Sequence, residues 1–200
     1  DAAGILGDEA ATRGLECLAR FAERLDGFAA SQVREVATQT LREAKNRNAF
    51  LERAQATLGR PIEIISGREE ARLIFSGVAR LQPSNLPRLV IDIGGRSTEL
   101  ILGRSKVPRI VESYDVGSVE LSMRYFADGR IGTRSFNAAC VAAQAALEGA
   151  QGELAAERWD EAYGASGTVG AVCDVLRAEG LTDGTITAVG HDALVGRLID

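Results

Sequence analysis

The stretch from Arg88 to Gly103 (RLVIDIGGRSTELILG) leaves little freedom to any fold that contains it. Leu89, Val90, Ile91 and Ile93 are β-formers in a short apolar run, which predicts a buried strand. Asp92 interrupts that run just before Gly94-Gly95, and Leu100, Ile101 and Leu102 resume as a second strand closed by Gly103. The expected unit is a hairpin with a glycine-rich, hydroxyl-bearing turn and one carboxylate on each shoulder, Asp92 and Glu99.

Such a turn suits an anion. Glycines let the backbone approach a phosphate closely, and successive N–H groups in a turn form an anion-binding concavity. Ser97 and Thr98 add hydroxyl donors. Carboxylates beside a phosphate repel it unless a cation intervenes, so Asp92 and Glu99 together suggest Mg²⁺, which is commonly held by one or two carboxylates plus phosphate oxygens. The same residues also read as a plain tight hairpin with two solvated acids.

Composition narrows the class. The net charge of −5 argues against a general nucleic-acid binder. Its distribution is uneven, because the segment from Arg68 to Arg109 carries +4 and leaves −9 for the rest. A local positive field attracts a polyanion, although scattered surface arginines account for the same count. No apolar run approaches the roughly 18 residues of a membrane span, so no membrane association is expected. Three widely spaced cysteines (Cys17, Cys140, Cys173) form neither a disulfide framework nor a zinc pattern. They read as buried thiols of a reducing cytoplasm. The single histidine, His191, excludes histidine-based metal sites and triads and is expected on a helix surface. The start at Asp1, without methionine, reads as a piece of a longer chain.

Taken in order, the chain predicts a helix capped by Asp8 and running to Leu25, a strand over Ser31–Thr38, and helix from Thr40 to Leu58. A short strand follows at Ile62–Ile65. Ser66 and Glu69 fit a capping box opening a helix to Leu81. Gln82–Pro87 holds two prolines and is the clearest linker. After the hairpin come a strand at Arg109–Val116, a helix at Val119–Phe126, and a long alanine-rich helix at Arg134–Arg158. A strand at Glu161–Ala165 breaks at Ser166-Gly167-Thr168 into a helix reaching Glu179, and another helix starts near Val189. The expected organisation is a partial domain over 1–82, a linker at 83–87 and a second domain over 88–200. Both halves look like parts of one β-β-β-α-β-α-β-α unit. The first lacks its opening three strands and the second its closing strand and helix.

Four segments then carry a resemblance: Val36–Arg42 (VATQTLR), Ile64–Arg72 (IISGREEAR), Asp92–Glu99 (DIGGRSTE) and Gly164–Thr168 (GASGT). In that order they resemble the exopolyphosphatase / guanosine pentaphosphate phosphohydrolase family of the actin–Hsp70–sugar-kinase superfamily. The resemblance implies an α/β fold of two ribonuclease-H-like (actin-like ATPase) domains around a cleft, both incomplete in this chain. It also implies metal-dependent removal of the terminal phosphate from inorganic polyphosphate or pppGpp. By it Glu70 matches the catalytic base, Asp92 and Glu99 the Mg²⁺-associated acids, and Arg42 an arginine of the phosphate site. Gly94, Gly95, Ser97, Ser166, Gly167 and Thr168 match phosphate-loop positions. Each has a local alternative: Glu70 can compensate a helix dipole, Ser166 or Thr168 can simply cap a helix, and Arg42 can be a solvated helix residue.

The chain departs from the family in three places. A glycine-rich phosphate loop belongs on the family's first strand, and no such sequence occurs here, so residues 1–200 alone are expected to be inactive. Arg96 stands where a third glycine is usual. If the backbone there is left-handed, arginine costs roughly 1–2 kcal/mol; otherwise its guanidinium adds a phosphate ligand. Gly170 replaces a lysine found in some relatives. Besides a cytoplasmic hydrolase, a non-catalytic polyphosphate- or nucleotide-binding regulatory module and a sugar or acetate kinase are the alternatives. A homodimer is open.

Overall fold

The computed structural model describes residues 4–150 and 152–199. By its contacts the chain divides into two compact units, Asp1–Ser66 and Gly67–Asp200.

In the first unit, helix α1 (Asp8–Arg24) lies against α3 (Arg47–Leu58). Gly14 of α1 gives room to the Phe50 ring, which a Cβ would meet at 3.2 Å. Asp8 is the first helical residue rather than the cap; Gly7 holds the cap position, and Asp8 and Glu9 place negative charge in the first turn. The strand expected over 31–38 shrinks to β1 (Val36–Ala37), preceded by a 3₁₀ turn at Ala30–Gln32. β1 pairs in parallel with β2 (Glu63–Ile64). The intervening helix comes in two pieces, α2 (Gln39–Glu43) and α3, and Gly59 ends α3 at φ 71°. That left-handed cap suits glycine.

The second unit is three-layered. A four-stranded sheet runs in the order β5-β4-β3-β6, with β3 Pro87–Ile93, β4 Thr98–Arg104, β5 Val107–Tyr114 and β6 Glu161–Ala165. β3 and β4 form the expected antiparallel hairpin, while β6 joins β3 in parallel. Helix α4 (Gly67–Leu81) covers one face, packing Ala71, Phe75 and Ala79 on Val90 and Ile101. These residues recur every four positions, which sets them on one stripe of the helix. Phe75 is fully buried, and Gly103 of β4 is bare because a Cβ there would strike its ring. The proline-bearing segment 83–87 was the boundary read from sequence. Because the apolar stripe of α4 docks on β3 and β4, the compact unit instead begins at Gly67.

The remaining helices are α5 (Ser118–Tyr125), α6 (Thr133–Ala146), α7 (Ser166–Ala178) and α8 (Ala188–Leu198). The long helix expected to reach Arg158 stops at Ala146 and gives way to 3₁₀ turns at Glu148–Ala150 and Ala156–Arg158. Gly149 and Gly152 explain this, each weakening a helix interior by about 1 kcal/mol. The three cysteines are unpaired and half-buried, less enclosed than expected. His191 is exposed on α8, as expected. Among the described residues no helix is long and apolar enough to cross a membrane.

Candidate functional site

β3, β5 and β6 run in the same direction, so their carboxyl ends gather three junctions at one edge of the sheet. These are the 94–97 turn, the step from β5 to α5, and the step from β6 to α7. Ligands of open α/β sheets bind outside such carboxyl ends.

Asp92 and Glu99 are direct partners in the antiparallel register. Opposed side chains share a face, with Cβ atoms about 4.5–5.5 Å apart. The row continues in both directions, to Ala165 on β6 and to Ser113 on β5. Glu99 is 1% exposed. Ser113 Oγ donates to its Oε1 at 2.8 Å, and the Ser97 hydroxyl also hydrogen-bonds it. Burial nonetheless pushes the Glu99 carboxyl above its ordinary range, and the charges of Glu70 and Asp92 push it further. Burial raises Asp92 as well, partly offset by the Ser166 hydroxyl. Glu70, in the first turn of α4, thus contributes to one negative field with the two strand carboxylates.

The glycine turn is built differently from expectation. Gly94 N–H bonds the Ser97 carbonyl at 2.9 Å. The Gly94 carbonyl accepts from Ser118 N–H and the Gly95 carbonyl from Val119 and Glu120 N–H, at 2.9 to 3.1 Å. The turn therefore closes the N-terminus of α5. Gly94, Gly95 and Arg96 all avoid the left-handed region, so Arg96 carries none of the strain considered from sequence. What the glycines supply is clearance: a Cβ on Gly94 would lie 2.9 Å from the Ser97 carbonyl oxygen, and one on Gly117 would overlap the backbone of Gly95 and Arg96. Ser97 is 4% exposed. Its hydroxyl braces Glu99, and that is its contact here.

The start of α7 remains the open helix end. Its cap residue, Ala165, offers no side-chain acceptor. Ser166 adopts φ 68°, a conformation few non-glycine residues take, and donates from Oγ to the Ile93 carbonyl at 2.8 Å. Gly167 has open space around it. Thr168 Oγ1 lies 3.1 Å from Ser118 Oγ, joining the starts of α7 and α5. First-turn amides and two hydroxyls thus lie at one point, where helix N–H groups and dipole favour an anion.

Arg42 belongs to the first unit. Its Nη1 donates to the Ile65 carbonyl at 2.9 Å and its Nε to Gln39 Oε1 at 3.0 Å, which ties α2 to the end of β2. Glu69 pairs with Arg72 of the same helix through hydrogen bonds of 2.7 and 2.9 Å.

Among the described residues no group of three or more His, Cys, Asp or Glu side chains is gathered closely enough to hold a metal ion alone. The Asp92–Glu99 pair still fits Mg²⁺. Its donors are all hard oxygens, its two charges oppose each other, and Mg²⁺ needs only one or two carboxylates when phosphate and water complete the shell. Sequence reading missed Ser113, Gly117 and Ser118. Ser113 carries no local signal, because only strand pairing brings it to Glu99. Gly117-Ser118, a glycine then a hydroxyl between a strand and a helix, was a usable one.

An acidic strand pair and an uncapped helix start thus meet at one edge of an α/β sheet. The family model of the Ppx/GppA phosphatases matches residues 1–200, and the chain belongs to that family. Among solved structures it is similar to an exopolyphosphatase from Cytophaga hutchinsonii, with a TM-score of 0.77 and 24% identity over 90% of this chain and 58% of that one. It is also similar to an exopolyphosphatase-like protein (TM-score 0.76, 26% identity, 88% of this chain and 56% of that one). A Ppx/GppA enzyme from Aquifex aeolicus gives 0.68 and 23%, over 89% and 58%. The chain therefore spans little more than half the length of these relatives, with which it shares the expected α/β fold.

Proposed function

We propose that the full-length protein carrying this chain is an exopolyphosphatase-type hydrolase, removing the terminal phosphate of inorganic polyphosphate with Mg²⁺. The observation that carries this reading is the Asp92–Glu99 pair opposed at the carboxyl end of β3, with the charge of Glu70 acting on Glu99 from the first turn of α4. Three acids sharing one field are costly for a fold and useful to phosphoryl transfer, where a cation and a water-activating base are both needed. Asp92 and Glu99 would hold the Mg²⁺, which when bound supplies neutralisation of phosphate charge.

The chain's own residues do the rest. The open turn of α7 at Ser166, Gly167 and Thr168, with Ser118 beside it, donates to phosphate oxygens. Ser97 and Ser113 keep Glu99 oriented. Glu70 accepts a proton from water as it attacks, a role worth typically ~10²–10⁴-fold. Belonging to the Ppx/GppA family supports the phosphatase class. Polyphosphate and pppGpp both end in a phosphoanhydride, and the choice between them rests on comparing their turnover.

The test is phosphate release by the full-length protein from polyphosphate and from pppGpp, with Mg²⁺ and with chelator. Polyphosphate turnover that requires Mg²⁺ and is lost in Glu70→Gln is the expected result. Full activity in Glu70→Gln would remove the catalytic assignment. Tight polyphosphate binding without turnover would replace the hydrolase by a binding module.

A further inference from the structure

Glu70 is useful only if the first turn of α4 is held near the strand carboxylates, and the apolar stripe holding that helix begins at Ala71 and extends away from the site. Two residues before Glu70, Arg68 reaches β5, the edge strand. Its Nη2 lies 3.0 and 3.1 Å from the two oxygens of Glu112. The next residue on that strand, Ser113, donates from Oγ to Glu99 at 2.8 Å. One dipeptide of β5 thus grips both sides of the acidic cluster, the helix bearing Glu70 through Glu112 and the strand bearing Glu99 through Ser113.

We propose that the Arg68–Glu112 ion pair is a positioning clamp, setting the distance of Glu70 from the Asp92–Glu99 pair; this rests on Glu70 acting as the base. Arg68 and Glu112 are 72% and 31% exposed in their side chains, and pairs that open to water contribute little to global stability. The clamp opposes a specific force. Glu70 and Glu99 repel each other, and loss of the Arg68 contact leaves that repulsion less opposed at the turn that precedes Ala71. Displacement of a catalytic group by about 1 Å can cost on the order of 10²-fold in rate, so a partial loosening is expected to cost about tenfold.

The experiment measures steady-state phosphate release from polyphosphate by the full-length protein in Arg68→Ala, Glu112→Ala, the double alanine variant and the reversed pair Arg68→Glu/Glu112→Arg, with Glu70→Gln as reference. Each single variant is expected to lower kcat about tenfold with KM nearly unchanged. The double variant is expected to be no worse than either single one, and the reversed pair to recover most of the loss. Melting temperatures should stay within about 3 °C of the parent.

Glu112→Ala separates the clamp from direct substrate binding. If Arg68 itself bound the polyanion, freeing it would lower KM and preserve kcat, and that result overturns the proposal. Normal kcat in Arg68→Ala, with Glu70→Gln inactive, overturns the clamp and leaves the function intact. Full activity in Glu70→Gln overturns both.

Discussion

Asp92 and Glu99 face each other across adjacent antiparallel strands, two acids directly opposed in the register. Like charges directly opposite destabilise a sheet by a few tenths to about 1 kcal/mol. Burial compounds the cost by disfavouring ionisation of both carboxyls. The pair is a local liability of the fold, placed where the proposed cation would relieve it.

Glu99→Gln is therefore expected to stabilise the protein at neutral pH while removing the proposed Mg²⁺ dependence. Because both carboxyls titrate above their unfolded values, the folded chain holds the extra protons, and stability falls as pH rises from about 4 through the raised pKa. The gain from Glu99→Gln should grow from pH 4 to pH 7, reaching about 1–4 °C in Tm. Added Mg²⁺ should raise the Tm of the parent and leave the variant nearly unmoved. A variant that melts below the parent at pH 7 would contradict this account.

Ser166 combines a left-handed backbone with a useful hydroxyl. Ser166→Ala keeps the strain and loses the hydrogen bond to Ile93, so it should cost about 1 kcal/mol. Ser166→Gly loses the same bond and relieves roughly 1 kcal/mol of strain, coming out near the parent. Chemical denaturation reads the order directly. Alanine more stable than glycine would show that the backbone there is not strained.

Arg88 is a fully buried cation. It donates to the carbonyls of Gln82 and Ser84 at 2.6 and 2.9 Å, lies over the Tyr163 ring, and faces Glu161 at 3.8 Å. Arg88→Ala strands those acceptors and the acid, and should cost about 3–5 kcal/mol. Arg88→Met with Glu161→Leu should recover most of that loss, because neither charge is then left behind. Urea titration of the single and double variants tests it, and equal losses would be the contrary result.

Phe75→Ala should cost about 3–5 kcal/mol as a core cavity, and Gly103→Ala about 1–3 kcal/mol as overpacking against the same ring. Combined, the two should cost somewhat less than their sum, since removing the ring relieves one clash of the new methyl while the Val107 carbonyl oxygen, 2.6 Å from its position, remains. Additive losses in a double-mutant cycle would disprove the contact.

Much of this was legible in the chain. The hairpin from Arg88 to Gly103 was readable because its apolar runs and glycines are local, and α4 and β6 for the same reason. The helix expected through Arg158 fails because alanine propensity masked two glycines that break it. Contacts made by strand pairing and helix docking left no local mark, so Ser113 was invisible until β4 and β5 were laid side by side, and the Arg68–Glu112 pair until α4 was packed against β5. The turn shows a subtler gap. Gly94 and Gly95 did signal close backbone approach, yet the approaching group is the first turn of α5.

A glycine loop that contacted only a ligand could lengthen or shorten as substrates changed. Here the carbonyls of Gly94 and Gly95 seat α5, and Ser118 passes that seating to Thr168 on α7. An inserted residue between β3 and β4 would therefore disturb the seats of two helices together.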